Sequence, residues 1–251
     1  DQTLRHDVPP LVPHPPGYPL YMLLAGFAAH FSLGDPARNV NLLSALCAAA
    51  TVFLLARTVR SFTRDDGEQT DASLFIAPLL ALVFAFTPLF WSQATIAEVY
   101  SLHMLLSVAL FAVLFSVSAY RFVLAAAIVG FGLTHHLTMI LLVPGAWVLL
   151  GERPSRQQIA FAIIALVLPL TLYLYLPIRA MADPPINWGG VTTLERFWWM
   201  VSGAAYRSYL FSLSPTDLIA RLSGMARLLF DQFGVWGVAR SSRFPVDVGE
   251  V

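Results

Sequence analysis

The sequence has few charged residues, no lysine and a single cysteine. Charged residues make up 12% of the 251 residues, and all fifteen basic side chains are arginine, which is typical of a GC-rich genome and favours a bacterial source. The formal net charge is zero, so no overall field favours binding to nucleic acid or to an acidic substrate. A disulfide framework and a cysteine-based metal site are excluded, because Cys47 has no second cysteine beside it.

Apolar residues, by contrast, are abundant and come in long runs. They form 57% of the chain, and the mean hydropathy of +0.69 lies outside the range of soluble domains. Crossing the hydrocarbon core of a bilayer takes about 20 apolar residues, and several runs approach this length. The sequence therefore predicts an all-α, polytopic transmembrane bundle, in the plasma membrane of a bacterium or in the endoplasmic reticulum of a eukaryote.

The long runs predict a path through the membrane. The run 122–150 is divided by His135 and His136 into halves too short to cross at about 1.5 Å per residue. A hairpin of two short helices is favoured over one interrupted crossing, because it gathers most short-loop arginines on the inner side. The region 40–177 then holds about six membrane helices. Four of them are predicted securely, over 40–58, 73–90, 103–119 and 159–177.

The flanking segments predict juxtamembrane helices that lie along the membrane surface. Residues 14–32 combine a proline-rich turn with a short apolar helix, and residues 178–232 are rich in tryptophan, tyrosine and capping signals. In the hairpin topology, the segments richest in polar and aromatic residues all fall on the outer, periplasmic or lumenal side. That side is the predicted functional face, because loops on a rigid scaffold carry most chemistry.

Glu98 is the acidic residue with the strongest functional signal. It lies at the predicted end of a crossing, where a carboxylate is costly unless it is solvated or paired. On helical spacing, Thr95, Glu98 and Ser101 share one face that turns into the bundle. A catalytic carboxylate and a helix-end carboxylate in headgroup water are both compatible with this pattern.

The outer segments contain further candidates. His14 lies in a Pro-His-Pro-Pro-Gly-Tyr-Pro turn that suits phosphate binding or proton transfer, although a simple helix-entry turn has the same composition. His135 and His136 line a cavity or lie at the interface, and their adjacency is a poor metal signal, so no metal is expected. Arg179 either snorkels or clamps an anionic headgroup. Asn187 and Trp188 form either a binding loop or a turn with an interfacial anchor.

Six polar stretches, in order, carry a resemblance to a known family. The chain resembles glycosyltransferase family 117, which includes an animal protein O-mannosyltransferase. The resemblance implies a GT-C-like fold and a transferase that moves a sugar, mannose in that member, from a polyprenyl-phosphate carrier to a protein or other acceptor at the outer face. The stretches, which extend from residue 14 to about residue 212, are HPPGYPLY, RNVNLLSAL, FWSQATIAEVYSLH, GLTHHLT, YLPIRA and PPINWGGVTTLERF.

The resemblance also implies roles for individual residues. Glu98, together with a carboxylate expected upstream of this chain, lies near the acceptor hydroxyl, where a carboxylate of this class acts as general base, while His14, His136 and Arg179 lie near the carrier phosphate. The further candidates for carrier or substrate binding are Tyr18, His135, Asn187 and Trp188. Lipid, the lipid-linked sugar and the acceptor are the expected partners, with no nucleic acid and no cofactor besides the donor.

One departure from the family is an Asp-x-Gly-Glu motif that usually precedes the His-Pro-Pro-Gly turn. Asp1 and Asp7 do not match it in spacing or context, so we expect a first helix upstream of this chain. An apolar segment begins at Phe233 and loses its character at Arg240, so we also expect a further C-terminal part beyond this chain. A transporter and a non-catalytic membrane scaffold are the alternatives. No inverted repeat supports the transporter, and the scaffold would leave clustered outer histidines and Glu98 unexplained.

Overall fold

A computed structural model describes residues 12–31, 34–62, 71–151, 153–209 and 214–233. This part of the chain is helical, with turns, loops and one isolated bridge, which confirms the predicted all-α class. Short 3₁₀ helices cover Leu137–Leu142, Thr171–Leu174, Trp188–Gly190 and Ala204–Tyr209. The α-helices are α1 (Pro19–Ala29), α2 (Pro36–Phe62), α3 (Asp71–Ala85), α4 (Pro88–Ala94), α5 (Tyr100–Leu114), α6 (Arg121–His135), α7 (Val143–Leu150), α8 (Arg156–Leu170), α9 (Tyr175–Ala180), α10 (Leu194–Val201) and α11 (Pro215–Phe233).

Two helices in the described residues are long and apolar enough to cross a membrane. They are Pro36–Ser61, within α2, and the continuous stretch Arg156–Ala180, which joins α8 to α9. A third crossing results if the bent pair α3 and α4 forms one span, and shorter apolar helices surround these. The chain is thus a helical integral membrane protein, while the predicted count of about six membrane helices stays a prediction.

The predicted single helix over 73–90 is wrong in detail, because the chain breaks into α3 and α4 at an angle of 74°. The break lies at Thr87, whose extended backbone (φ −63°, ψ 138°) precedes Pro88. Proline disfavours the helical conformation of the residue before it, and its own fixed φ suits the first position of a new helix. The predicted helix over 103–119 also differs, since α5 begins earlier and ends at Leu114.

Residues 121–150 turn back on themselves. The guanidinium of Arg121 donates to the carbonyl of Leu150 at 3.1 Å, so the start of α6 meets the end of α7. The side-chain amide of Gln158 donates to the carbonyl of Ala119 at 3.4 Å, which sets the start of α8 at the same end. Helix α7 therefore runs against α6, and α8 runs with it.

The buried apolar side chains form two separate groups. Leu110, Phe122 and Met139 belong to a core between α5, α6 and α7. Val12, Leu176 and other side chains form a second core beneath the loops at the opposite end from Arg121. The expectations that concern residues 1–11, 210–213 and the end of the chain lie outside the described residues.

Candidate functional site

The proline-rich turn is held in shape by two residues with left-handed backbone. The amide of Gly17 donates to the carbonyl of His14 at 3.0 Å, and Gly17 (φ 93°) and Tyr18 (φ 41°) then lead into α1. A tyrosine in this region is strained by sterics, and such strain clusters at functional sites. Leu176 of α9 packs so closely on Gly17 that a Cβ there would lie 2.7 Å from its Cδ1.

A parallel bridge joins the strip before this turn to the distant 184–189 loop. The amide of Val12 donates to the carbonyl of Ile186 at 3.0 Å, and the amide of Trp188 donates to the carbonyl of Val12 at 3.2 Å. Asn187 is anchored from the other side, because its Nδ2 donates to the carbonyl of Ala180 at 3.2 Å. Two of the predicted outer segments therefore meet.

His14 is exposed and has a defined hydrogen-bond polarity. Its Nδ1 lies 3.0 Å from the carbonyl oxygen of Pro15 and 3.1 Å from the hydroxyl of Tyr206. A carbonyl only accepts, so Nδ1 carries the proton and donates it to Pro15. In a ring with its single proton on Nδ1, the Nε2 holds a lone pair that can accept a hydrogen bond.

Tyr18 is the centre of a polar cluster, which consists of His14, Tyr18, Glu98, Tyr100, His103, His136, Thr138 and Tyr206. Its ring centroid lies 5.2 Å from that of His14 and 6.0 Å from that of His136. Burial raises the pKa of Tyr18 most, and with smaller contributions from Tyr206, Tyr100 and Glu98 the value reaches about 12. The phenol therefore stays protonated at neutral pH and remains able to donate a hydrogen bond.

Glu98 reaches this cluster from a loop rather than from a helix. Residues 95–99 form a bend between α4 and α5, so the predicted helical face of Thr95, Glu98 and Ser101 is wrong. The bend is stabilised by Ser101, whose hydroxyl donates to the carbonyl of Gln93 at 2.8 Å. Glu98 is exposed, and its charge acts on the phenols of Tyr18 and Tyr21.

The two adjacent histidines occupy different environments. His135 is fully buried at the end of α6, and its Nε2 donates to the carbonyl of Val99 at 2.7 Å. His136 is half-buried and leaves the helix with an extended backbone, and its ring lies near the rings of Tyr18 and Tyr100. His136 thus faces the cluster, whereas His135 supports the backbone just after Glu98.

Sequence reasoning missed two residues of the cluster, His103 and Thr138. The ring of His103 lies 4.8 Å from that of His136, and the hydroxyl of Thr138 lies within hydrogen-bond distance of both rings. Thr138 carried a local signal, because a threonine two residues after His136 can bond back to it. His103 carried none, since its partner lies 35 residues away.

The remaining candidates lie at the margin of the cluster. Arg179 is three residues beyond Leu176, on the face of α9 that packs against the proline-rich turn, and it interacts electrostatically with Tyr175. Trp188 joins the site through its backbone, and its side chain is 53% exposed. Among the described residues, no three His, Cys, Asp or Glu side chains are grouped so as to hold a metal ion.

Comparison with known proteins shows which family the chain matches. Residues 11–160 match the family described as "Protein O-mannosyl-transferase TMEM260 N-terminal domain". The chain is similar to the protein O-mannosyl-transferase TMEM260 of Mus musculus, with 32% identity over 211 residues. That alignment covers 78% of this chain and 29% of the mouse protein, so the chain spans less than a third of its relative. No solved structure matches the chain.

Proposed function

The chain belongs to the family of the protein O-mannosyl-transferase TMEM260 N-terminal domain, and from this premise we propose that it forms the catalytic membrane part of a glycosyltransferase. The membership confirms the resemblance drawn from the polar stretches of the sequence. The proposed donor is a sugar, mannose by analogy with the relative, on a polyprenyl-phosphate carrier. The proposed acceptor is a hydroxyl group of a protein.

The observation that carries this proposal is the convergence of Glu98, His14 and His136 on Tyr18 from three separate segments. A carboxylate, two imidazoles and a phenol at one end of the bundle supply both proton acceptors and hydrogen-bond donors. A scaffold without chemistry has no need for this convergence, since polar groups in a membrane protein are costly and usually functional.

In the proposed reaction, the acceptor oxygen bonds to the anomeric carbon while the bond from that carbon to the phosphate oxygen breaks. Glu98 takes the proton of the acceptor hydroxyl, and the carrier phosphate leaves with the electron pair of the broken bond. His136 and Tyr18 donate hydrogen bonds to the phosphate as its charge develops. Arg179 is the proposed cation at the rim of the phosphate site. A single displacement of this kind inverts the anomeric centre.

An apolar cavity beside the cluster supports a lipid-linked donor. It lies between α4, α5 and α11, with a volume of about 520 Å³, and Phe90 and Leu229 are among its apolar lining residues. Tyr100 lines the same cavity and also lies 6.1 Å from His136, measured between ring centroids. A phosphate beside His136 would therefore lie close to a mainly apolar cavity that suits the start of its isoprenoid chain.

The direct test is the substitution Glu98→Gln in the full-length protein, which keeps size and hydrogen bonding but removes the base. Transfer of radiolabelled mannose from a polyprenyl-phosphate donor to acceptor protein is measured in membranes at matched expression. Loss of a positioned base is expected to lower the rate by about 10² to 10⁴. Glu195→Gln is the matched control, because Glu195 is an exposed acid in the first turn of α10. Equal rates for the two variants would refute the proposed role of Glu98.

The proposed face of action is tested by single-cysteine labelling. Trp188 and Arg153 are both exposed, and they lie at the cluster end and the Arg121 end of the bundle respectively. A membrane-impermeant thiol reagent applied from the periplasmic or lumenal side is expected to label Trp188→Cys and to spare Arg153→Cys, in a background without other cysteines. Labelling of both positions from one side would refute the hairpin topology.

A further inference from the structure

We propose that Thr138 and His103 hold His136 in the neutral tautomer with its proton on Nε2, so that His136 donates one hydrogen bond to a carrier phosphate oxygen. The identity of the ligand rests on the proposed function, whereas the tautomer rests on hydrogen-bond geometry alone. His103 and Thr138 are positioning residues in this proposal, because they act on the ligand only through His136.

The first step is the proton of His136. Its Nδ1 accepts from the backbone N–H of Thr138 at 3.4 Å, as the cap of the 3₁₀ helix Leu137–Leu142. The hydroxyl oxygen of Thr138 lies 2.7 Å from the same nitrogen. A nitrogen that accepts from an amide carries a lone pair, so the hydroxyl is its second donor. The proton of the neutral ring is therefore on Nε2.

The second step is the polarity of His103. The hydroxyl of Thr138 also lies 3.1 Å from the Nε2 of His103. Since its one proton points to His136, its oxygen accepts from the Nε2–H of His103. The Nδ1 of His103 is then a bare lone pair, and this atom is buried with no hydrogen-bond partner among the described residues. The reverse polarity would bury an N–H without an acceptor, which is the rarer arrangement in proteins.

The third step is to identify which nitrogen of His136 is left to bind a ligand. Both groups that hydrogen-bond to the His136 ring, the amide and the hydroxyl of Thr138, do so at Nδ1, and no hydrogen bond occupies Nε2 within the described part of the chain. The ring lies near Tyr18 and Tyr100, at ring-centroid distances of 6.0 and 6.1 Å. The hydrogen bonds from His103 to Thr138 and from Thr138 to His136 form a polar relay. A second proton on Nδ1 of His136 would face two donors, so this relay also keeps the ring neutral. What His136 offers a ligand is one N–H, which bonds most strongly to an anionic oxygen.

The relay predicts that binding of the carrier phosphate depends on the hydroxyl of Thr138 and not on the size of its side chain. Thr138→Val keeps the shape and removes the hydroxyl, whereas Thr138→Ser keeps the hydroxyl. Binding of polyprenyl monophosphate is measured on the full-length protein in lipid nanodiscs. We expect Thr138→Val to raise the Kd about tenfold, equivalent to about 1.4 kcal/mol, and Thr138→Ser to stay within about twofold. Equal weakening in both variants, or none in Thr138→Val, would overturn the relay.

The tautomer itself is read from ¹⁵N spectra of histidine-labelled protein, with the signal of His136 assigned by its loss in His136→Gln. We expect an Nε2-protonated ring in the wild type and a larger share of the Nδ1-protonated ring in Thr138→Val, where only the longer amide contact of 3.4 Å remains and the hydroxyl contact of 2.7 Å is lost. An Nδ1-protonated ring in the wild type would overturn the assignment, whatever the carrier does. The expected tautomer without any binding of polyprenyl monophosphate would instead overturn the phosphate ligand and count against the proposed function.

Discussion

Helices α6 and α8 pack closely at Gly130, whereas the residues around Tyr18 leave polar atoms unpaired. An added Cβ on Gly130 would lie 2.5 Å from the carbonyl oxygen of Leu166, so the two backbones are nearly in contact. At the cluster, by contrast, the Nδ1 of His103 and the Nδ1 of the neighbouring His135 are buried without a hydrogen-bond partner among the described residues.

The difference distinguishes the residues that stabilise the fold from those that are proposed to carry out the reaction. Lipid is as apolar as leucine, so small residues that bring helix backbones close are a main source of association between membrane helices. Unpaired polar atoms cost stability and are retained where they serve a ligand or a reaction. Substitutions at the packed region should therefore act on folding, and substitutions at the polar cluster should act on transfer.

The largest effect on folding is expected from Gly130→Ala. Alanine favours a helix over glycine, but the new methyl group meets backbone that has no room to move, and overpacking typically costs about 1–3 kcal/mol. Thermal unfolding in detergent should show a lower midpoint, while the transfer rate per folded molecule stays unchanged. Gly145→Ala is the matched control, because nothing lies within 4 Å of its added Cβ. Equal midpoints would show that the contact is not tight.

Gly17→Ala is a packing substitution that we expect to affect transfer as well as folding, because it strains the turn beside the polar cluster. Its φ of 93° disfavours alanine by about 1–2 kcal/mol, and the new methyl group would lie 2.7 Å from Leu176. The strain displaces the turn that holds His14 and Tyr18, so the transfer rate should fall further than the fraction of folded protein. Rate and folded fraction that fall in parallel would assign Gly17 to the packing of the bundle alone.

Sequence reasoning predicted the parts of this comparison that local patterns determine. Apolar runs gave the all-α membrane class. The proline-rich turn identified His14 as a candidate, whereas Tyr18 came from the family resemblance. It failed at Thr87, where a proline breaks the long helix, because apolar composition outweighed the proline signal. It also gave Glu98 a helical face that the bend over 95–99 removes.

Contacts between distant segments were beyond such reasoning. The hydroxyl of Tyr206 reaches His14 across 192 residues, and that of Thr138 reaches His103 across 35 residues. Periodicity identifies which face of a helix is buried, but not which loop of another helix meets it. The polar relay around His136 therefore follows from the three-dimensional arrangement and not from any motif.

The smallest effect is expected from Tyr206→Phe, which removes one hydroxyl from the polar cluster. That hydroxyl lies 3.1 Å from the Nδ1 of His14, whose proton is already donated to Pro15. A neutral hydrogen bond contributes about 0.5–1.5 kcal/mol, and this one is shared and partly exposed, so the transfer rate should fall by less than about tenfold. The unfolding midpoint should not change, because the ring of Tyr206 is 45% exposed and its apolar atoms remain.

Tyr120→Phe is the matched control for this substitution. Tyr120 is 73% exposed and lies at the start of α6, at the opposite end of the bundle from His14. A reduced rate in Tyr206→Phe and an unchanged rate in Tyr120→Phe would show that the hydroxyl orients His14 for transfer. The same rate in both variants would show that Pro15 alone orients the imidazole, and the polar cluster would then depend on fewer contacts than its geometry indicates.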